Sequence, residues 1–142
     1  MVLGFLTATV ATTAFSILFG IPRRQLLWSG LVGGLAWWSG ALLEHLGLGE
    51  TLATLCAAVI LTVMARFLSI HRRAPVTLFL TAGIFPLVPG SRIYSVALFL
   101  LQTAFSEAGR TLVATLETAG AIAIGILLGH AVPARLLTWR RR

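Results

Sequence analysis

Long apolar segments, of the length needed to cross a lipid bilayer, occupy most of this 142-residue chain. Hydrophobic residues make up 58% of it and charged residues 11%, whereas soluble domains carry about 25% charged residues. A helix that crosses the hydrocarbon core needs roughly 20 mainly apolar residues. Five segments fit this length: residues 2–20, 26–43, 51–70, 76–105 and 111–132. The sequence therefore predicts one all-α domain over residues 1–142, an integral membrane protein with about five transmembrane helices.

The arginines predict how these helices are oriented. All 11 basic residues are arginine, and the net charge is +7. Nine of the eleven fall at one end of the predicted spans: Arg23, Arg24, Arg66, Arg72, Arg73, Arg135, Arg140, Arg141 and Arg142. Because cytoplasmic loops are enriched in basic residues, we expect the N-terminus outside and the C-terminus in the cytoplasm of a multi-pass protein of the inner (plasma) membrane. Arginines that flank apolar runs also argue against nucleic acid as a partner.

Other function classes receive no support from the sequence. The first ten residues, MVLGFLTATV, lack a basic n-region, so we interpret them as a retained span and not a signal peptide. The single cysteine, Cys56, cannot form an internal disulfide. His45, His71 and His130 are too scattered to predict a metal site. No catalytic motif is visible, so we expect neither an enzyme nor a cofactor.

The stretch GIFPLVPGSRIYS, residues 83–95, interrupts the fourth apolar segment. Pro86 and Pro89 lack an N–H and clash with the preceding helical turn, and Gly90 relaxes the local steric limits. Ten residues from Val76 advance a helix by roughly 15 Å, which is about half of the hydrocarbon thickness. The sequence therefore predicts two half-helices joined by a short extended link near the middle of the membrane.

A broken membrane helix is one context for a transporter's binding site. We expect the second half-helix to start near Ser91, a good N-cap residue, so that its positive dipole end favours an anion. Arg92 adds guanidinium donors suited to a carboxylate, and Tyr94 adds a hydroxyl. The predicted site for a small carboxylate-bearing substrate comprises Pro86, Pro89, Gly90, Ser91, Arg92 and Tyr94. Under the alternative, the kink only shapes the bundle, and Arg92 reaches toward a membrane interface or pairs with an acid.

Glu117 is a second ionisable residue inside an apolar segment. It shares an i, i+4, i+8 row with Ala121 and Gly125, which predicts that it faces protein and not lipid. Two roles are open for it: an ion pair with Arg92, or uptake and release of a proton.

Small and hydroxylated residues form faces on several predicted helices. Such faces allow close helix packing, while hydroxyls bond back to the helix backbone or line a polar path. The faces are Ser29, Gly33, Ala36 and Gly40; Ala121, Gly125 and Gly129; and Thr9, Thr12, Thr13 and Ser16.

Two stretches, FGIPRRQLLWSGLVGG and RAPVTLFLTAGIFPLVPGSRIYS, resemble the threonine/serine exporter family, most closely its small-subunit, YjjB-like branch. The likeness runs from about Leu18 to the C-terminal arginines, and its most specific part is Pro86, Pro89, Gly90 and Tyr94. The family usually has an uncharged residue at the position of Arg92.

This resemblance implies export of small hydrophilic metabolites, either amino acids such as threonine and serine or dicarboxylates such as succinate. It also implies a larger YjjP-like subunit as partner, and a homo-oligomer is a further possibility. A five-span unit and an inverted five-span unit would together form inverted repeats. The competing hypotheses are a non-transporting scaffold that stabilises a partner through its small-residue faces, and a channel.

Overall fold

The computed structural model describes residues 1–133, and within them the backbone forms helices and no strands. The elements are α1 (Val2–Leu18), α2 (Arg23–His45), α3 (Glu50–Arg72), α4 (Val76–Gly83), a 3-10 helix (Phe85–Leu87), α5 (Gly90–Leu101) and α6 (Phe105–Ala131). The predicted all-α fold is confirmed for this part of the chain. Arg135 and the arginines at 140–142 lie outside the described residues.

Three of the helices, α2, α3 and α6, are long and apolar enough to cross a membrane. The segment Val76–Leu87 and α5 form a fourth candidate, bent by 51°. Helix α1 is apolar but has only 17 residues. The described residues thus contain three to four candidate spans by length and composition, and the crossing of all five predicted segments stays a prediction.

The helices pack in the order α1, α2, α3, α6 and α5, each against the next, and α4 lies across α2 and α3. Val32, Ala36 and Leu61 form the centre of the hydrophobic core, and Leu80 and Leu87 pack against it. Most other buried positions hold alanine, glycine, serine or threonine. Small residues of this kind let membrane helices approach closely, which is how such bundles are stabilised.

Hydroxyl side chains of α1 pack directly on the small-residue face of α2. Thr12, Ser16 and Ser29 are fully buried. Thr12 Oγ1 donates to the Ala8 carbonyl at 2.7 Å, and the hydroxyls of Ser16 and Ser29 share a hydrogen bond of 2.6 Å. A Cβ at Gly33 would overlap the Thr12 side chain. Of the two uses left open by the sequence, the structure supports helix packing with hydrogen bonds back to the helix backbone.

Helices α3 and α6 run side by side, and α6 is secured at its C-terminal end. A Cβ at Gly125 would lie 2.6 Å from the Leu55 carbonyl oxygen, so only glycine permits this approach. Arg66 Nη1 donates to the carbonyls of Gly129 at 2.8 Å, His130 at 2.9 Å and Val132 at 2.6 Å. Arg66 thereby satisfies terminal carbonyls that the helix cannot pair internally, and its charge complements the helix dipole.

The boundary between the last two predicted spans was wrong. Helix α5 ends at Leu101 and α6 already begins at Phe105, six residues before the predicted start. The turn lies at residues 102–104, where Thr103 has a φ of 58°. The charged stretch after Phe105, which the prediction treated as a loop, is helical. Glu107 in the first turn is favourable there because it faces the positive end of the helix dipole.

Candidate functional site

The chain breaks between α4 and α5, as predicted from its prolines. After α4 and the 3-10 turn, Val88 adopts an extended conformation with φ −67° and ψ 129°. A Cβ at Gly83 would lie 2.5 Å from Leu61 Cδ1, and Leu61 is the central residue of α3. The break therefore begins beside the middle of α3 and continues toward the end that carries Glu50.

The break is held firmly against α1 and the core. The ring of Phe85 stacks on that of Phe15, with centroids 4.2 Å apart and planes within 9°. Backbone N–H groups within the break find local acceptors: Leu87 donates to Ile84 at 2.9 Å, Val88 to Phe85 at 3.2 Å and Gly90 to Val88 at 2.8 Å. These bonds satisfy three N–H donors of the irregular backbone within the protein, as a membrane-embedded break requires.

Helix α5 begins at Gly90, which agrees with the predicted start near Ser91, but its N-cap differs from the prediction. Pro89, not Ser91, is its N-cap residue, and no side chain caps the helix. The Pro89 carbonyl accepts hydrogen bonds from the N–H groups of Arg92 at 3.1 Å and Ile93 at 3.2 Å. As the residue before the helix, Pro89 loses nothing by lacking an N–H, since that donor would have no partner within the helix. Ser91 instead lies in the first turn.

A cavity of about 290 Å³ lies between α2, α3, α6 and the break. Its polar groups are two carboxylates, from the end of α2 and the start of α3, and three hydroxyls. The lining residues are Trp37, Gly40, Ala41, Glu44, Glu50, Thr54, Pro86, Leu87, Val88, Pro89, Ser91 and Thr118. The arrangement is suited to a small hydrophilic molecule with a positive group, because carboxylates attract a cation and the hydroxyls donate and accept hydrogen bonds.

Arg92 joins three helices at the edge of this cavity. Its guanidinium forms an ion pair with Glu50 of α3. Nη1 also donates to Thr118 Oγ1 at 3.0 Å and contacts the Ala114 carbonyl at 3.5 Å, both on α6. The predicted alternative that Arg92 pairs with an acid is therefore confirmed, but the acid is Glu50 and not Glu117.

The predicted site residues are only partly brought together. Pro86, Pro89 and Ser91 line the cavity, and Arg92 contacts two of its lining residues. Gly90 and Tyr94 do not line it, and the Tyr94 side chain is 69% exposed.

Glu117 lies on the exposed surface of α6, whereas Ala121 and Gly125 are buried. The prediction that it shares their packing face was wrong, whereas the prediction that it faces protein and not lipid stays a prediction. A row of residues four apart drifts by roughly 40° at each step on a helix of 3.6 residues per turn.

The sequence prediction missed several residues of the cavity. Glu44 and Glu50 are two of only four glutamates in the chain, and they lie on either side of one short connection. That pairing of rare acids was the available signal. Thr54 and Thr118 carried none, because a threonine in an apolar helix is ordinarily a packing residue. Within residues 1–133 no three His, Cys or acidic side chains come together as a metal site requires.

Comparison with known proteins finds sequence similarity to a family of threonine/serine exporters. The family model for "Threonine/Serine exporter, ThrE" matches residues 4–132. A Mycobacterium tuberculosis protein named "Probable threonine/serine exporter" is 31% identical over 124 residues, which cover 87% of this chain and 23% of that protein. The chain thus spans about a quarter of the length of this curated relative. No solved structure is significantly similar to the chain.

Proposed function

The chain belongs to the threonine/serine exporter family, and from this premise we propose that it is a membrane subunit of an exporter of small hydrophilic metabolites. The substrates would be amino acids such as threonine and serine, with dicarboxylates such as succinate as a second class. The observation that carries the proposal is the cavity beside the helix break, with carboxylates and hydroxyls on its walls. Polar cavities next to interrupted helices are typical of transporter binding sites.

The cavity offers complementary groups for an amino acid. The ammonium group would pair with the Glu44 carboxylate, which has no ion-pair partner among the described residues. The substrate carboxylate would compete with Glu50 for Arg92, whose planar guanidinium suits a carboxylate. Hydroxyls of Thr54 and Ser91 line the same space. Binding would then exchange an internal ion pair for one with the substrate, which limits the cost of uncovering the arginine.

The bundle would cross the inner membrane five times, with its N-terminus outside. The distribution of charge supports this orientation. Arg23 and Arg24 at the start of α2 lie at the same end as Arg72 near the end of α3, because the two helices are consecutive and joined by a short turn. Glu44 and Glu50 lie at the opposite end. The arginine-rich end would face the cytoplasm.

The exporter would be completed by a larger membrane subunit. The Mycobacterium tuberculosis relative is about four times as long as the segment that it shares with this chain, so in that protein the matching segment is joined to much additional chain. A separate partner with inverted topology would provide the same arrangement in two chains.

Substrate efflux tests the role of the cavity. Cells loaded with threonine would express the wild-type chain or Glu44→Gln together with the larger subunit. In Glu44→Gln the substrate ammonium group would lose a charge-assisted hydrogen bond worth about 1.5–3 kcal/mol. We therefore expect a roughly 10- to 100-fold weaker apparent affinity for threonine. The matched control is Glu107→Gln, because Glu107 is an exposed acid at the start of α6 and lies outside the cavity. Equal efflux by both variants and the wild type would contradict the proposed site.

A further inference from the structure

Glu117 lies deep in the longest helix. It is 12 residues after Phe105 and 14 residues before Ala131, or about 18 Å and 21 Å along the axis. A helix of 27 residues is about 40 Å long, and the hydrocarbon core is about 30 Å thick. If α6 spans the whole core, the position of the core along the helix can therefore vary by only about 10 Å. Glu117 therefore lies at least about 8 Å inside the core wherever the membrane is placed along α6.

Within residues 1–133 the Glu117 carboxylate has no hydrogen-bond or ion-pair partner, and the side chain is exposed. A carboxylate facing lipid at this depth is costly, and intramembrane acids normally face protein or a water-filled space. The other described residues do not provide that cover. Something outside the described bundle must therefore lie against this part of α6.

The two exposed sides of α6 differ in character. Between residues 112 and 123 the exposed positions on one side are wholly apolar: Leu112, Leu116, Ala119 and Ala123. The other, here called the Glu117 face, consists of Ser106, Arg110, Val113, Glu117, Gly120 and Ile124. The first side suits lipid. The second combines charge, small side chains and apolar contacts, which is typical of a helix–helix interface in membranes.

The spacing of the Glu117 face also fits a second helix. Its residues follow one another at intervals of four, three, four, three and four, the alternation that forms a continuous seam against a neighbouring helix. At Gly120 nothing lies within 4 Å of an added Cβ, so this glycine has no packing role inside the chain. Its small size would allow the backbone of a partner helix to approach.

From these observations we propose that the Glu117 face binds a transmembrane helix of a partner chain that presents a basic or hydrogen-bond-donating side chain opposite Glu117. A second copy of this chain fits poorly. Two copies related by a symmetry axis along the membrane normal would place parallel α6 helices with Glu117 against Glu117, and this juxtaposition of like charges is unfavourable. The partner is therefore a different chain with complementary charge.

This inference rests on the proposed function only in taking the larger subunit as the source of that helix. The candidate is a membrane chain from the same genome that resembles the part of the Mycobacterium tuberculosis relative lying outside the matched segment. Efflux and binding are measured separately. Loss of cross-linking with intact efflux would overturn the interface alone, whereas cross-linking without efflux would count against the exporter function and leave the interface standing.

Site-specific photo-cross-linking in cells tests the interface. Benzoylphenylalanine would replace Val113 or Ile124 on the Glu117 face, and Leu112 or Ala123 on the apolar side as matched exposed controls. The full chain would be co-expressed with the larger chain, and adducts would be identified by mass spectrometry. We expect adducts with the larger chain from Val113 and Ile124 only. Adducts mainly with a second copy, equal adducts from both sides, or none with protein would each overturn the proposal.

Substitution of Glu117 gives an independent measurement. Glu117→Leu would reduce co-purification of the larger chain at least tenfold, while Glu117→Gln, which keeps a hydrogen-bonding group, would reduce it less. Because the side chain is exposed in the isolated bundle, both variants should remain in the membrane at wild-type abundance. Glu107→Gln serves as the control. Unchanged co-purification of Glu117→Leu would contradict the charge complementarity proposed here.

Discussion

Arg92, in the first turn of α5, forms an ion pair with Glu50, the first residue of α3. The same guanidinium donates to Thr118 on α6. The two paired side chains are 29% and 48% exposed, so the pair is open to a ligand. This one interaction therefore both connects the second half of the broken helix to the bundle and forms an edge of the polar cavity.

Arg92→Ala is expected to reduce threonine export at least tenfold without lowering the amount of protein in the membrane. The reason is the loss of a charged donor for the substrate carboxylate, worth about 1.5–3 kcal/mol. Efflux and quantitative immunoblotting of membranes measure the two effects. Unchanged export would remove Arg92 from the site.

The exchanged pair Arg92→Glu with Glu50→Arg separates the two roles of this interaction. The exchange can restore an ion pair between α5 and α3, but it moves the cation to a different helix. We expect thermal stability to recover relative to either single variant and export to remain low. Full recovery of export would show that the pair is structural only.

The helix break can be removed by substituting both prolines. Pro86→Ala with Pro89→Ala restores two backbone donors, and alanine is about 3 kcal/mol more favourable than proline in a helix interior. We expect a straighter helix, retained abundance and loss of export. The control is Pro75→Ala, because Pro75 lies outside the break, at the N-cap of α4, where a helix tolerates proline. Normal export by the double variant would show that the break is dispensable.

Gly33→Ala tests the contact between α1 and α2. Its Cβ would overlap Thr12, and overpacking of this kind costs typically about 1–3 kcal/mol. Gly109→Ala is the matched control, because nothing lies within 4 Å of a Cβ at that position, and alanine there is expected to be neutral or stabilising by up to about 1 kcal/mol. Thermal unfolding in detergent gives both values. Equal melting temperatures for the two variants would contradict the packing described.

Arg66→Ala is expected to destabilise the bundle by about 1–2 kcal/mol, because it removes the charged donor that satisfies the last carbonyls of α6. Arg66→Lys should lose less stability than Arg66→Ala, since lysine keeps the charge. It should still be less stable than the wild type, because lysine lacks the fork of donors. Arg24→Ala, at the exposed start of α2, should change the melting temperature little. If Arg66→Ala had the same melting temperature as the wild type, the hydrogen bonds from Arg66 to the last carbonyls of α6 would not stabilise the bundle.

Sequence reasoning succeeded where the physical cause is local. The break between α4 and α5 could be predicted because a proline disrupts a helix through its own ring and missing donor. The all-helical membrane fold followed from apolar segments that are long enough to span a bilayer. The start of α6 was missed because the stretch SEAGR, residues 106–110, resembles a loop, although Glu107 is well placed at a helix start.

The contacts of the cavity could not be predicted in the same way. Arg92 and Glu50 are 42 residues apart, and their pairing depends on how α3, α5 and α6 pack together. The exposure of Glu117 depends on a rotation about the α6 axis, and the i, i+4 row misjudged it. Such features are set by tertiary packing, about which a single helix carries little information.

The most direct test of the central claim is threonine efflux from loaded cells that express this chain, the larger membrane chain, or both. The account predicts efflux above background only when both chains are present, and its loss when Glu44 or Arg92 is substituted. With both chains confirmed in the membrane, the absence of efflux of threonine, serine and succinate would contradict it.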